Sequence, residues 1–214
     1  MSRALPWAVL LDLDGCLIDS AAATRTTLAA VASCATGRRL QADALPDDAL
    51  HRPRTTVLAE LGVRDPEEAV ARWWEGAWAG TSPAALFPGI PAALARLREA
   101  GARLGIVTAQ DRLPARLMIP PALDPLIETA VTRQDAPAKP RPDGLHTALA
   151  RLGIAPTRAI MVGDSPRDMT AARTAGVQAA AAAWGWSTTA ALQEAGAQQV
   201  LPDPDSLATL TPPE

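Results

Sequence analysis

The chain alternates between two kinds of hydrophobic pattern. Residues 7–12 (WAVLLD) are apolar without interruption until the final acid, with no polar residue on every second position. Such a run predicts a strand covered on both faces. From residue 84 onward, runs of this kind recur at 103–108, 127–131, 159–163, 178–183 and 199–201. Between them, apolar positions spaced three and four apart predict helices at 90–100, 111–118, 143–152, 166–175, 189–195 and 205–210. Glycines at 101, 153 and 176 stand where helices commonly end. Residues 20–83 look different. Helical spacing covers 20–34, with Asp19 or Ser20 as a cap, then 47–61 in one or two pieces, then 66–79, and no strand is evident.

Strands alternating with helices imply right-handed crossovers and a parallel sheet with helices on both faces. The chain therefore reads as an α/β protein. Residues 1–19 and 84–214 form a Rossmann-like core, and residues 20–83 form an inserted all-helical domain.

Composition narrows the possibilities. The 214 residues are 48% hydrophobic and 20% charged, with a net charge of −3, which suits a globular protein with a real core. No basic run exceeds Arg38-Arg39, so no nucleic-acid-binding surface is expected. The apolar run at the N-terminus is short and broken by acids, unlike a signal peptide or a membrane span. A cytoplasmic protein without a membrane partner is the expectation. Cys16 and Cys34 do not suggest a disulfide framework. Lys139 is the one lysine among 20 basic side chains, which poses the question of what arginine could not do there.

Four stretches carry candidate chemistry, three of them at predicted strand ends, where open α/β sheets bind ligands. Asp12 and Asp14 close the first strand in Asp-Leu-Asp-Gly. If the strand continued, they would share a side about 7 Å apart. Their proximity suits one acid as nucleophile and the other as proton carrier. Thr108 ends the strand at 103–108, and its hydroxyl with the backbone amides at Ala109 can hold anionic oxygens. Lys139 sits in a proline-stiffened loop, suited to a phosphate or a carboxylate. Asp164 closes another apolar strand. Asp168 lies three residues past Ser165, the spacing of a capping box, which gives it a structural reading of its own. Converging carboxylates need a cation, and oxygen-only ligands suit Mg²⁺. No Cys/His cluster supports zinc.

The motifs DLDGCLIDS, IVTAQ, AKPRPDG and MVGDSPRDM, in that order and spacing, closely resemble those of the haloacid dehalogenase superfamily. The insert, LFPGIPAALARLREAGARLGIVT and the WGW at 184–186 are similar to its phosphoglycolate phosphatase and β-phosphoglucomutase branch. The resemblance implies that Asp12 attacks phosphorus and becomes an aspartyl-phosphate. It implies that Asp14 protonates the leaving alcohol and later deprotonates water. Thr108 would hold a phosphoryl oxygen, and Lys139 would pair with Asp12 and the phosphate. Asp12, Asp14 (through its carbonyl), Asp164 and Asp168 would be the metal set. Two positions depart from the family pattern: Cys16 replaces a threonine, and Ala109 replaces an asparagine.

In this branch the insert is a mobile cap that contributes specificity. His51 and Arg54, beside Pro53, are candidates to meet the far end of a substrate. Trp74 and Trp78 share a helix face and suit the insert's own core, and Asp111 and Arg112 are candidates for the site entrance. The leading expectation is a Mg²⁺-dependent phosphatase acting on a small phosphorylated metabolite, as a monomer or homodimer. A phosphosugar mutase is disfavoured because the insert has no lysine. The same absence disfavours phosphonatase chemistry, and Asp14 would be superfluous in a dehalogenase. A binding protein on the same fold is the non-enzymatic alternative.

Overall fold

The computed structural model describes residues 5–50, 52–81 and 84–213. It divides into two compact units, residues 19–85 and the remainder of the chain.

The larger unit is built on a six-stranded parallel sheet. Its strands are β1 (Trp7–Leu11), β4 (Ala102–Val107), β5 (Thr129–Val131), β6 (Ala159–Gly163), β7 (Gln178–Ala182) and β8 (Gln199–Leu201), in the order β5-β4-β1-β6-β7-β8. Two short strands that the hydrophobic pattern did not reveal, β2 (Ile18–Asp19) and β3 (Ala85–Leu86), pair where the chain passes between the units. They have two residues each, too few to show a period.

The core is an α/β fold. β1 lies in the middle, with Leu10 opposite Gly105 of β4 and Met161 of β6. All five β1 residues are buried. Ala8 and Leu10 pack with residues of α6 (Asp143–Leu152) and α7 (Pro166–Ala175). Val9 and Leu11 point the other way and are equally buried, which is why the strand shows no alternation. α4 (Ile90–Glu99) packs along β4 and against a 3₁₀ segment, Pro204–Thr209, and α5 (Arg112–Met118) and α8 (Thr189–Glu194) are the other α-helices among the described residues of this unit. Residues 205–210 were expected to be α-helical. The tighter 3₁₀ turn forms instead, started by Asp203, whose side chain accepts from Ser206 N at 2.9 Å.

Topology fixes where a ligand can bind. From β1 the chain builds β4 and β5 on one side, then returns to place β6, β7 and β8 on the other. The strand order therefore reverses direction between β1 and β6, and such sheets bind ligands outside the carboxyl ends of the strands at that switch point.

The smaller unit contains α1 (Ala21–Thr36), α2 (Arg54–Glu60) and α3 (Pro66–Ala79), which pack on one another. Leu28, Val31, Val57, Leu58, Trp74 and Trp78 are buried in it. Of the helix expected over 47–61, only α2 forms among the described residues. Pro53 disfavours helical geometry in the residue before it and donates no hydrogen bond, so the helix begins after it. The irregular stretch ahead of it is held by Arg25, whose guanidinium bonds the carbonyls of Ala42, Leu45 and Pro46. No helix of the described residues is long and apolar enough to cross a membrane.

Candidate active site

The three strands at the centre of the sheet each end in a polar side chain. Asp12 follows β1, Thr108 follows β4 and Asp164 follows β6. β1 hands over to a tight loop in which Leu17 N and Ile18 N both bond Leu13 O, so Asp14 does not continue the strand. Gly15 makes the loop possible. Its φ of +76° favours glycine, and a Cβ there would stand 2.1 Å from Asp164 Oδ2.

Lys139 binds the site together. Its ammonium lies 2.7 Å from Asp12 Oδ1 and 2.6 Å from Asp168 Oδ1, and it donates to Val107 O at 2.8 Å. Three oxygens from three separate segments thus surround a group with three N–H bonds. A planar guanidinium cannot aim donors in these directions from one point, which accounts for a lysine in an arginine-rich chain. The side chain is buried. Burial alone would favour its neutral form, but Asp12 and Asp168 outweigh that and hold its pKa above the usual lysine value.

The carboxylates are under the opposite stress. Burial, then the charge of Asp168, raise Asp12 to about 7 despite the attraction of Lys139. Burial, then Asp12 and Asp168, push Asp164 well above the carboxylate range, although its Oδ2 accepts from Trp186 N at 2.8 Å. One cation does not neutralise this group. Asp12, Asp164 and Asp168 each offer an oxygen within 4.8 Å of the others, a span one small ion can bridge. All the donors are hard oxygens, so the residues fit a cation such as Mg²⁺.

Asp168 is used twice. Its Oδ2 accepts from Ser165 N at 3.0 Å and Ser165 Oγ at 2.6 Å, closing the capping box of α7, while Oδ1 faces Lys139. Both carboxylate oxygens thus have protein partners. The capping-box reading describes its position, and the lysine contact makes it a support for Asp12 as well.

Thr108 is buried, with its Oγ accepting from Gln110 N at 3.1 Å. Asp14 accepts through Oδ2 from Gln110 Nε2 at 3.0 Å. Cys16 is fully buried, with Sγ 3.7 Å from Val162 O. Burial, then the charges of Asp12, Asp164 and Asp168, keep the thiol's pKa well above its usual value. It is an inert neighbour rather than a second nucleophile.

The chain as a whole is similar to known proteins. A profile of haloacid dehalogenase-like hydrolases matches residues 9–182. A phosphoglycolate phosphatase of Xanthomonas campestris is 35% identical over 190 residues, covering 85% of each chain. A plasmid-encoded phosphoglycolate phosphatase of Cupriavidus necator is 32% identical over 216 residues, covering 96% of this chain and 93% of its own. The chain belongs to the haloacid dehalogenase-like hydrolases. Among solved structures, a Lactobacillus plantarum protein described as a phosphoglycolate phosphatase superposes with a TM-score of 0.82, covering 97% of this chain and all of its own at 24% identity. That last likeness concerns the fold.

In this hydrolase, then, Asp12, Lys139, Asp164 and Asp168 converge, with Thr108, Ala109 and Asp14 on the adjoining loops of the same unit. Arg54 lies in the smaller unit, its guanidinium 4.4 Å from the ring centre of buried Trp74, a cation–π contact. His51 lies outside the described residues. Asp111 and Arg112 are occupied in bracing. Asp111 pairs with Arg133 at 2.6 Å, and Arg112 pairs with Asp135 at 3.1 Å, tying the loop after β4 to the loop after β5.

Two contributors were not anticipated. Gln110 reaches Asp14, and its one sequence signal was a polar residue two past Thr108 at the same strand end. The 184–186 loop supports the first motif from 168 residues away, with Trp184 Nε1 bonding Cys16 O at 2.9 Å. A Cβ at Gly185 would stand 2.1 Å from Asp164 Cβ and 2.6 Å from Gly15 O, so only glycine lets this loop approach.

Proposed function

We propose that this hydrolase is a Mg²⁺-dependent phosphatase acting on a small phosphomonoester through an aspartyl-phosphate at Asp12. The observation that carries the reading is the position of Lys139 between Asp12 and Asp168, with Asp164 alongside, at the switch point of the sheet. The phosphatase relatives support the same class of substrate.

The residues divide the work as follows. Lys139 and the amide of Leu13, which donates to Asp12 Oδ1 at 2.7 Å, keep that carboxylate in one orientation. An Asp12 oxygen attacks phosphorus, the bond to the leaving oxygen breaks, and Asp14 gives that oxygen its proton. Water then attacks the phosphorus, Asp14 takes the water's proton, and the Asp12 carboxylate departs, restoring both groups. Thr108 Oγ and the amide at Ala109 would hold phosphoryl oxygens. A bound Mg²⁺ would be held by Asp12, the Asp14 carbonyl and Asp164, with Asp168 in support, and would supply charge neutralisation for the phosphoryl group. Residues 20–83 would act as a cap, with His51 and Arg54 candidates to contact the rest of the substrate.

Phosphate release across a panel of small phosphomonoesters, phosphoglycolate among them, tests the reading. Release that needs Mg²⁺ and is abolished in a folded Asp12→Asn variant is expected. Undiminished turnover by that variant would overturn it. Isomerisation of a hexose phosphate without free phosphate would point instead to a mutase.

A further inference from the structure

We propose that Gln110 is a positioning residue for Asp14, fixing the orientation of the carboxyl group that gives and takes the proton. The inference rests on the phosphatase reading above and adds a residue to its machinery. Gln110 Nε2 donates to Asp14 Oδ2 at 3.0 Å, across 96 positions of sequence. The glutamine is 7% exposed, unusual for this side chain at a loop.

Its backbone is fixed at both ends. Gln110 N donates to Thr108 Oγ, Gln110 O accepts from Arg133 N at 3.1 Å, and the next residue, Asp111, is ion-paired to Arg133. The carboxamide is therefore presented from a rigid segment, not a free loop.

The other end of the amide explains why a glutamine suits this place. Gln110 Oε1 is buried without a hydrogen-bond partner. A buried carbonyl left in that state costs free energy, so its retention calls for a reason. While Asp14 is ionised, only Nε2 can face it, since Oε1 would set acceptor against acceptor. When Asp14 carries its proton on Oδ1, ready for the leaving oxygen, Oδ2 still accepts from Nε2. A carboxamide can thus hold Asp14 in both halves of the cycle. An apolar side chain could hold it in neither.

The test uses p-nitrophenyl phosphate with Mg²⁺. Nitrophenolate departs without a proton, so forming the aspartyl-phosphate does not need Asp14. Hydrolysing it does, because water must lose a proton. Gln110→Met keeps the length and removes the donor, whereas Gln110→Glu keeps the shape and sets a like charge against Asp14. Both should lower kcat by about tenfold or more, the loss expected for a hydrogen bond to a charged group. Because the first step is spared, kcat/KM should stay within about threefold of the native enzyme, with a nitrophenolate burst of about one equivalent per site.

Values of kcat within twofold of native in both variants would overturn the proposal. So would kcat/KM falling in step with kcat and no burst, which marks a substrate contact or general damage. If Gln110→Met does not fold, the Gln110→Glu result decides. Native protein that releases no nitrophenolate would overturn the phosphatase reading and this inference together. A native enzyme that turns over while both variants match it would remove only the role of Gln110.

Discussion

Replacing Asp12 with asparagine should stop turnover and, in the absence of metal, stabilise the fold. The carboxyl group of Asp12 is raised from 3.8 to about 7, by burial first and then by Asp168, with Lys139 only partly compensating. A raised acid binds more protons in the folded state than in the unfolded state. Its contribution is therefore fully favourable below pH 4 and is lost as pH climbs toward 7. A shift of about three units corresponds to roughly 4 kcal/mol once the group is ionised in both states. Asparagine has nearly the same shape, can accept from Leu13 N and Lys139, and carries no charge. At pH 8 in chelator, Asp12→Asn should gain on the order of 1–4 kcal/mol, or at least about 2–4 °C in Tm for a chain of this size. The gap should shrink at pH 5 and close near pH 4. Saturating Mg²⁺ should raise the native Tm more than the variant's, because the ion offsets the same repulsion. Thermal unfolding followed by circular dichroism at the three pH values, with and without Mg²⁺, reads all of this. A variant that melts at or below the native temperature at pH 8 in chelator, or a gap indifferent to pH, would refute the electrostatic account.

Two other substitutions probe the geometry. Lys139→Arg keeps the positive charge but cannot direct three donors to Asp12, Asp168 and Val107 O, so kcat should fall by at least about a hundredfold, as for loss of an oriented charge at a phosphoryl site. Steady-state phosphate release measures it, and near-native activity would show that charge alone suffices. Gly185→Ala places a methyl group against Asp164 and the Gly15 carbonyl, so the Mg²⁺ concentration for half-maximal activity should rise by roughly tenfold or more. A Mg²⁺ titration checks this, and an unchanged midpoint would show that the loop yields without disturbing Asp164.

What the sequence determined was local. An unbroken apolar run closed by an acid marks both a buried parallel strand and the place where a ligand can bind. That pattern alone located Asp12 and Asp164. Ser165, Pro166 and Asp168 announced the start of α7 by spacing alone, and the capping box is present. Lys139 stood out by its rarity. The failures were also local in origin. β2 and β3 are too short to carry a period, and the helix expected from residue 47 begins only after Pro53.

The tertiary structure decided the partnerships. The second use of Asp168, the bond from Gln110 to Asp14 and the support of Cys16 by Trp184 join segments 29, 96 and 168 residues apart. None of these pairs shares a helix or a strand, so no periodicity could register them. They meet because parallel crossovers return each strand's carboxyl end to the same edge of the sheet. There, burial strengthens every charge and leaves each polar atom dependent on what the other loops bring.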